Sequence, residues 1–416
     1  MESITGNKQR GAVSLFVVVF AMLIITVLTI GFLRIMVADQ NQASDSDLAQ
    51  SAYDSALAGV EDGKRALLYY QQRCATNPGS CPGLNAALST GVCNQAVVSQ
   101  GIVSSSVSAT GDVTNPGEIY VRQTTSTNDD KLEQAYTCLK MQLVTDDYVG
   151  ELTPTTSQLI PLIPEKDSGG TSDTFDTVTI RWYQPEDLGR ADGAVSLTGF
   201  AAPQPLLAKA SWPANRPSVM RVQLIQFGPN FTMEDFDATS GGRSNANTVF
   251  LYPTNAGSAT RSANFTSDIR KTSTSADPIA DTAGSSPLPV LCSASISAGG
   301  YACQMSLRLP QAINATTNDR TAYLRVTPFY NATHYQIILG NGPLNATGTN
   351  IVKFNDVQPI IDSTGRANDL FRRVISRVNL YDNAFPYPDA SIDVNNDFCK
   401  DFGVTNDAYI AGTCTP

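Results

Sequence analysis

Histidine is almost missing from this chain of 416 residues: there is one, His334. A Ser-His-Asp triad therefore has a single place to form, and no G-x-S-x-G elbow accompanies it. Zinc binding needs tight C-x₂₋₄-C pairs or added histidines, and no two of the eight cysteines stand that close. Charge is also sparse, at 16% of residues with a net of −10. The strongest basic cluster is Arg372, Arg373 and Arg377 in LFRRVISRVNL, which is local and flanked by apolar residues, so nucleic-acid binding has little electrostatic support. No glycine-rich phosphate loop and no internal repeat are present. The acidic pairs Asp129/Asp130, Asp146/Asp147 and Glu186/Asp187 read as solvated turns, because adjacency in sequence does not place two carboxylates across a cleft. His334, between Thr333 and Tyr335, reads as a solvent-facing strand residue. These absences point away from an enzyme, and no cofactor is implied.

One long hydrophobic run is present, AVSLFVVVFAMLIITVLTIGFL at residues 12–33, between Arg10 and Arg34. At the rise of an α-helix it spans roughly 33 Å, enough for the ~30 Å hydrocarbon core of a bilayer. A secretory signal has a shorter apolar region and a small-residue cleavage site, whereas this run ends in Phe32, Leu33 and Arg34. A plain signal anchor is a second reading. The third places a cut after Gly11, where the short basic leader MESITGNKQRG ends, so that the whole apolar helix stays on the mature chain. All three hold Lys8 and Arg10 in the cytoplasm and export the rest.

From Arg34 to about Gln72 there is no proline, and Leu48, Ala52, Ala56 and Val60 recur at four-residue steps with Tyr53, Leu57 and Leu67 beside them. This is helical spacing with one apolar stripe. The spacing predicts one helix of some 60 residues, with ADQNQASDSD (38–47) as its polar juxtamembrane stretch. The block QRGAVSLFVVVFAMLIITVLTIGFLRIMVADQ…LAQSAYDSALAGVEDGKRAL resembles the N-terminus of PilX-type minor pilins, over about the first 70 residues. The resemblance implies a leader removed by a prepilin peptidase between Gly11 and Ala12. It also implies assembly with other pilins through the N-terminal helix, and a head facing outward for adhesion to a host or surface receptor or for priming assembly. Major pilins carry a glutamate at the fifth mature position, which here is Phe16. That departure favours a minor subunit over a main fibre subunit.

Eight cysteines, all after the apolar run, suit an oxidising, extracytoplasmic compartment. They are Cys74, Cys81, Cys93, Cys138, Cys292, Cys303, Cys399 and Cys414. Proximity favours Cys74–Cys81, Cys292–Cys303 and Cys399–Cys414, leaving Cys93–Cys138, although 105 connectivities are formally open. The rest of the chain reads as β-rich. Strands are expected in YTCLKMQLVTDDYVGEL, DTVTIRWYQPE, PSVMRVQLIQFGP, NTVFLYPT, YACQMSLRLP, NIVKFNDVQPIIDSTG and FRRVISRVNLY. TAYLRVTPFYNATHYQIILG reads as a hairpin with Asn331 at its turn. The fold class is α+β: a long N-terminal helix, half transmembrane and half amphipathic, packed on a large antiparallel, disulfide-containing head. In chain order the regions are a leader (1–11), a transmembrane helix (12–33), its amphipathic continuation (34–72) and a first β-rich region (73–235). A Ser/Thr/Gly-rich loop or linker (236–290) and a second β-rich region with a C-terminal tail (291–416) follow.

One oxygen-ligand pattern for calcium occurs, Asp393-x-Asn395-x-Asp397 with Asp401 at the ninth position. Phe398 at the glycine place and Val404 in place of the closing glutamate break it, and no metal is assigned. The expectation is a single-pass protein of the cytoplasmic membrane, bulk outside, acting as a minor pilin-like subunit. The alternative is a signal-anchored cell-surface binding protein that joins no fibre.

Overall fold

A computed structural model of the chain describes residues 10–77, 79, 81–103, 117–121, 133–154, 156–166, 173–188, 194–200, 206–227, 246–265, 287–296, 300–317, 321–345 and 348–380. Helix α1 (Arg10–Thr76) is continuous over 67 residues, about 100 Å at the standard rise. It carries no proline, and its polar 38–47 stretch stays helical. Short helices α2 (Cys81–Leu88) and α3 (Gln95–Ser99) follow. Strands β1 (Ile119–Tyr120), β2 (Gln134–Thr145), β3 (Tyr148–Leu152), β4 (Gln158–Pro161), β5 (Thr174–Trp182), β6 (Val219–Phe227) and β7 (Ala246–Thr254) come next. After them run β8 (Ser262–Asn264), β9 (Leu288–Leu291), β10 (Cys303–Asn314), β11 (Thr321–Phe329), β12 (Thr333–Gly340), β13 (Ile351–Val352), β14 (Phe354–Ala367) and β15 (Leu370–Arg377).

The strands form three sheets. A four-stranded sheet has the order β1-β2-β14-β15. A six-stranded sheet runs β13-β12-β5-β10-β8 with β3 also on β12, and a five-stranded sheet runs β4-β11-β6-β7-β9. Pairing is antiparallel except for β8 on β10 and β9 on β7. The two larger sheets enclose one core. Val178, Ile180 and Trp182 of β5 and Ile337 and Leu339 of β12 meet Val222 and Leu224 of β6 and Leu324 and Val326 of β11 there. The period-2 alternation of these strands turns one face of each sheet inward.

A second core lies between α1 and the four-stranded sheet. It contains Val60, Ala66, Leu67 and Tyr70 of the helix with Tyr136, Leu139 and Met141 of β2 and Ile361 of β14. Residues 146–353, which build both larger sheets, are inserted between β2 and β14, and Thr145 and Phe354 are themselves register partners. The pairings therefore join the region expected at 73–235 to that expected at 291–416, and a division in chain order does not follow the sheets. Strand β14 belongs to both cores: Phe354 lies in the first and Ile361 in the second.

Two expectations are corrected. TAYLRVTPFYNATHYQIILG is not a hairpin, because β11 pairs with β4 and β6 while β12 pairs with β3, β5 and β13. The two strands face each other across the core instead of bonding edge to edge. The turn between them is captured by Asn331, whose Nδ2 donates to the carbonyls of Pro213, Ala214 and Arg216. On α1, Tyr53 and Leu57 are exposed, at 43% and 37%, while Ser55, Gly59 and Gly63 take the inward positions with Ala52, Ala56 and Val60. The helix buries small residues where the sheet comes close.

Candidate functional site

The helix is the element with the clearest physical character. From Leu15 to Val37 its large apolar side chains are exposed, and the span is long and apolar enough to cross a membrane. Its threonines do not leave hydroxyls unpaired: Thr26 and Thr29 donate to the carbonyls of Met22 and Ile25, at 2.7 and 2.8 Å. Such back-bonding is what a polar side chain needs in a medium without water. Gly11 and Ala12 lie in the first turns of α1, and the leader before Arg10 lies outside the described residues.

Beyond the polar stretch the same helix meets the four-stranded sheet at close quarters. A Cβ on Gly63 would come within 2.9 Å of the Ile361 side chain, and one on Gly59 within 3.0 Å of the Tyr136 ring. On the sheet side a Cβ on Gly365 would run into the helix backbone at Ala52 and Ala56. Val60, Leu67 and Tyr70 then fill the contact, each contributing about 1.5–3 kcal/mol by burial. Polar bonds fix the register. Tyr136 donates to Asp62 at 2.9 Å, and Tyr70 donates to Asp356 at 2.9 Å. Burial, then the charge of Asp62, pushes the Tyr136 hydroxyl far above its usual range. Burial also raises the Asp356 carboxyl, an effect partly offset by the bonds from Tyr70 and Asn355.

Disulfides hold the surrounding segments. Cys74–Cys81 joins the end of α1 to the start of α2, and Cys93–Cys138 joins the turn before α3 to β2. Cys292–Cys303 lies at the margin of the sandwich core. These are the pairs that proximity favours. Cys399 and Cys414 lie outside the described residues, as do Asp393, Asn395, Asp397 and Asp401.

In the head, His334 is partnered rather than simply solvent-facing. Its Nδ1 lies 2.7 Å from Asp187, whose other oxygen accepts the backbone N–H groups of His334 and Gln184. Nε2 lies 3.7 Å from Glu151. Asp187 thus ties a 3-10 turn (Pro185–Leu188) to β12, with the imidazole as part of the tie. Sequence reasoning missed this because the two residues stand far apart in the chain and meet only through sheet pairing. Asp147 is likewise engaged, accepting from Gln336 at 2.6 Å and pairing with Arg377 at 2.8 Å. Asp129 and Asp130 lie outside the described residues. A polar cleft of about 500 Å³ opens beside β10, lined by Asp176, Thr177, Ser306, Arg308 and Asn341 among others. Asp176 is spoken for by Arg308, by Thr177 and by the N–H of Gly342. Among the described residues, no cluster of three or more His, Cys, Asp or Glu could hold a metal ion.

No protein-family model, curated protein or solved structure matches the chain.

Proposed function

We propose that the chain is a minor pilin-like subunit, held in the cytoplasmic membrane and then in a filament by the apolar half of α1. In this reading a prepilin peptidase removes residues 1–11, cutting between Gly11 and Ala12. The helix from Ala12 to Leu33 then leaves lipid for a bundle of like helices, because the surface suited to hydrocarbon is equally suited to neighbouring apolar helices. The N-terminus is cytoplasmic, the head is outside, and its role is packing and presentation rather than turnover.

The observation that carries this reading is the continuity of α1. One unbroken helix bears both the exposed apolar run and the face of Ala52, Gly59, Gly63 and Leu67 that meets the four-stranded sheet. A cleavable signal needs no such rigid connection. An assembly helix does, since the position of the apolar half then fixes the position of the head. Phe16, fully lipid-compatible and 79% exposed, leaves no buried charge to be matched by a neighbour. A sparse subunit fits that feature better than the repeating one.

The second reading, a signal-anchored surface binding protein outside any fibre, is favoured by the clefts of the head. N-terminal sequencing of the mature protein separates the two. A mature chain beginning at Ala12, with processing blocked by Gly11→Val, is the expected result. A chain that retains Met1, or processing indifferent to that substitution, overturns the pilin reading.

A further inference from the structure

The five-stranded sheet turns Met220, Val222 and Leu224 of β6 into the sandwich core, so Val219 and Arg221 face outward. An outward sheet face in water ordinarily alternates to polar residues. Here part of it is apolar instead. A cleft of about 440 Å³ opens among Pro154, Leu206, Phe250, Phe329 and Tyr330, with Lys209 also in its lining. Leu206 is 60% exposed. Phe250 and Phe329 have ring centroids 6.1 Å apart, and the guanidinium of Arg221 lies 5.6 Å from the Phe329 centroid.

The Tyr330 wall is built with unusual care. Its backbone sits at φ 78°, a left-handed conformation costly for a tyrosine. The three bonds from Asn331 Nδ2 hold the neighbouring turn, and Tyr330 Oη donates to the Leu207 carbonyl at 2.8 Å. Behind it Trp212 is stacked at 4.0 Å and 6° from parallel. Arg216 lies 4.1 Å from the Trp212 centroid and 5.2 Å from that of Tyr252. Two partners each about 4 Å from one ring must take opposite faces, so the order is Tyr330, Trp212, Arg216. Arg216 is 1% exposed, donates to Tyr252 and Thr198, and has no carboxylate partner among the described residues.

The electrostatics of the cleft follow from this. Lys209, on a 3-10 turn, is exposed and forms no ion pair with any described residue. Among the described residues no carboxylate lines the cleft, and the buried Arg216 lies behind its Tyr330 wall, in a chain whose net charge is −10. Among the described lining side chains a hydroxyl-rich ligand finds little to bond, since the Tyr330 hydroxyl is already committed to Leu207. A flat apolar group between Phe329, Phe250 and Tyr330, with one negative charge toward Lys209, satisfies every wall.

We propose that this cleft binds a small soluble amphiphilic anion, an aromatic or short aliphatic group bearing one carboxylate, sulfonate or comparable charge. The inference holds in either reading of the helix, because it concerns the head alone. The test uses the full chain in nanodiscs of zwitterionic lipid, titrated calorimetrically with naphthalene-2-sulfonate, with empty discs as the blank. One saturable site per chain is expected. Lys209→Gln should weaken the sulfonate about three- to fivefold, as for an exposed ion pair, and leave the uncharged naphthalene-2-methanol unaffected. Leu206→Ser, a change at an exposed position that spares the fold, should weaken both probes. The absence of saturable heat overturns the proposal. So does equal affinity for the charged and uncharged probes, indifference to Lys209→Gln, or binding that occurs only when anionic lipid is added to the disc.

Discussion

Gly365 of β14 makes room for the backbone of α1, because a Cβ at this position would run into the Ala52 carbonyl oxygen and the Ala56 amide nitrogen. No side chain fits between them, so the separation of helix and sheet is set here by the absence of a Cβ. Gly365→Ala should push the two apart and cost about 1–3 kcal/mol, as overpacking does. Thermal unfolding of the chain reports it. Gly31→Ala is the control: a Cβ there meets nothing within 4 Å, and head stability should not change.

The exposed half of the helix makes no demand on the head. In the apolar window of α1 nothing is buried. A chain shortened to begin at Ala38 should therefore lose membrane association while keeping the head's denaturant midpoint, within about 0.5 kcal/mol. Flotation and chemical unfolding measured side by side check both halves of the expectation. A head that loses its cooperative transition on truncation would count against it.

The disulfides should differ in worth according to the loops they close. Cys93–Cys138 spans a separation of 45 residues and Cys74–Cys81 only 7. In the chain-entropy account these are worth about 4 and about 2.5 kcal/mol. Replacing each pair by serine and comparing unfolding midpoints should give the larger loss at Cys93–Cys138. The reverse order would mean that native contacts, not loop closure, dominate.

Asp356 should make the seat of α1 sensitive to pH in a defined direction. Its carboxyl is raised above the ordinary value of 3.8 by burial, so the folded state holds the proton more tightly than the unfolded one. For a raised group the stabilisation is complete below the unfolded value and lost as pH rises through the folded one. Wild type should therefore lose stability relative to Asp356→Asn as pH climbs from about 4 toward neutrality. Asparagine also tolerates the left-handed backbone at this position, where φ is 58°. Paired urea titrations across that range give the difference directly, and a gap that stays constant with pH removes Asp356 as its source.

Much of the architecture was legible because it is local. The apolar run, the proline-free tract after it and the alternating strands carry their signals within a few residues, and the near-neighbour cysteines needed only proximity. What escaped reading is long-range or made of small residues. Periodicity weighs large apolar side chains, so it favours Tyr53 and Leu57 and passes over Ser55, Gly59 and Gly63. Asn331 looked like a hairpin turn because the sequence does not reveal that its amide would find three carbonyls of the segment before β6. The tie between Asp187 and His334 had no local signal either. The aromatic cleft collects residues from five separate segments, and only the outward alternation of β6, β7 and β11 could have hinted at it.

Strand β14 has a further consequence. Because Phe354 is rooted in one core and Ile361 in the other, the two layers have no seam along which to part. Disorder beginning in the sandwich travels along a single stretch of backbone to the strand against which α1 rests. A thermal scan of this large head should then show one transition rather than two, and damage in the sandwich should be felt at α1.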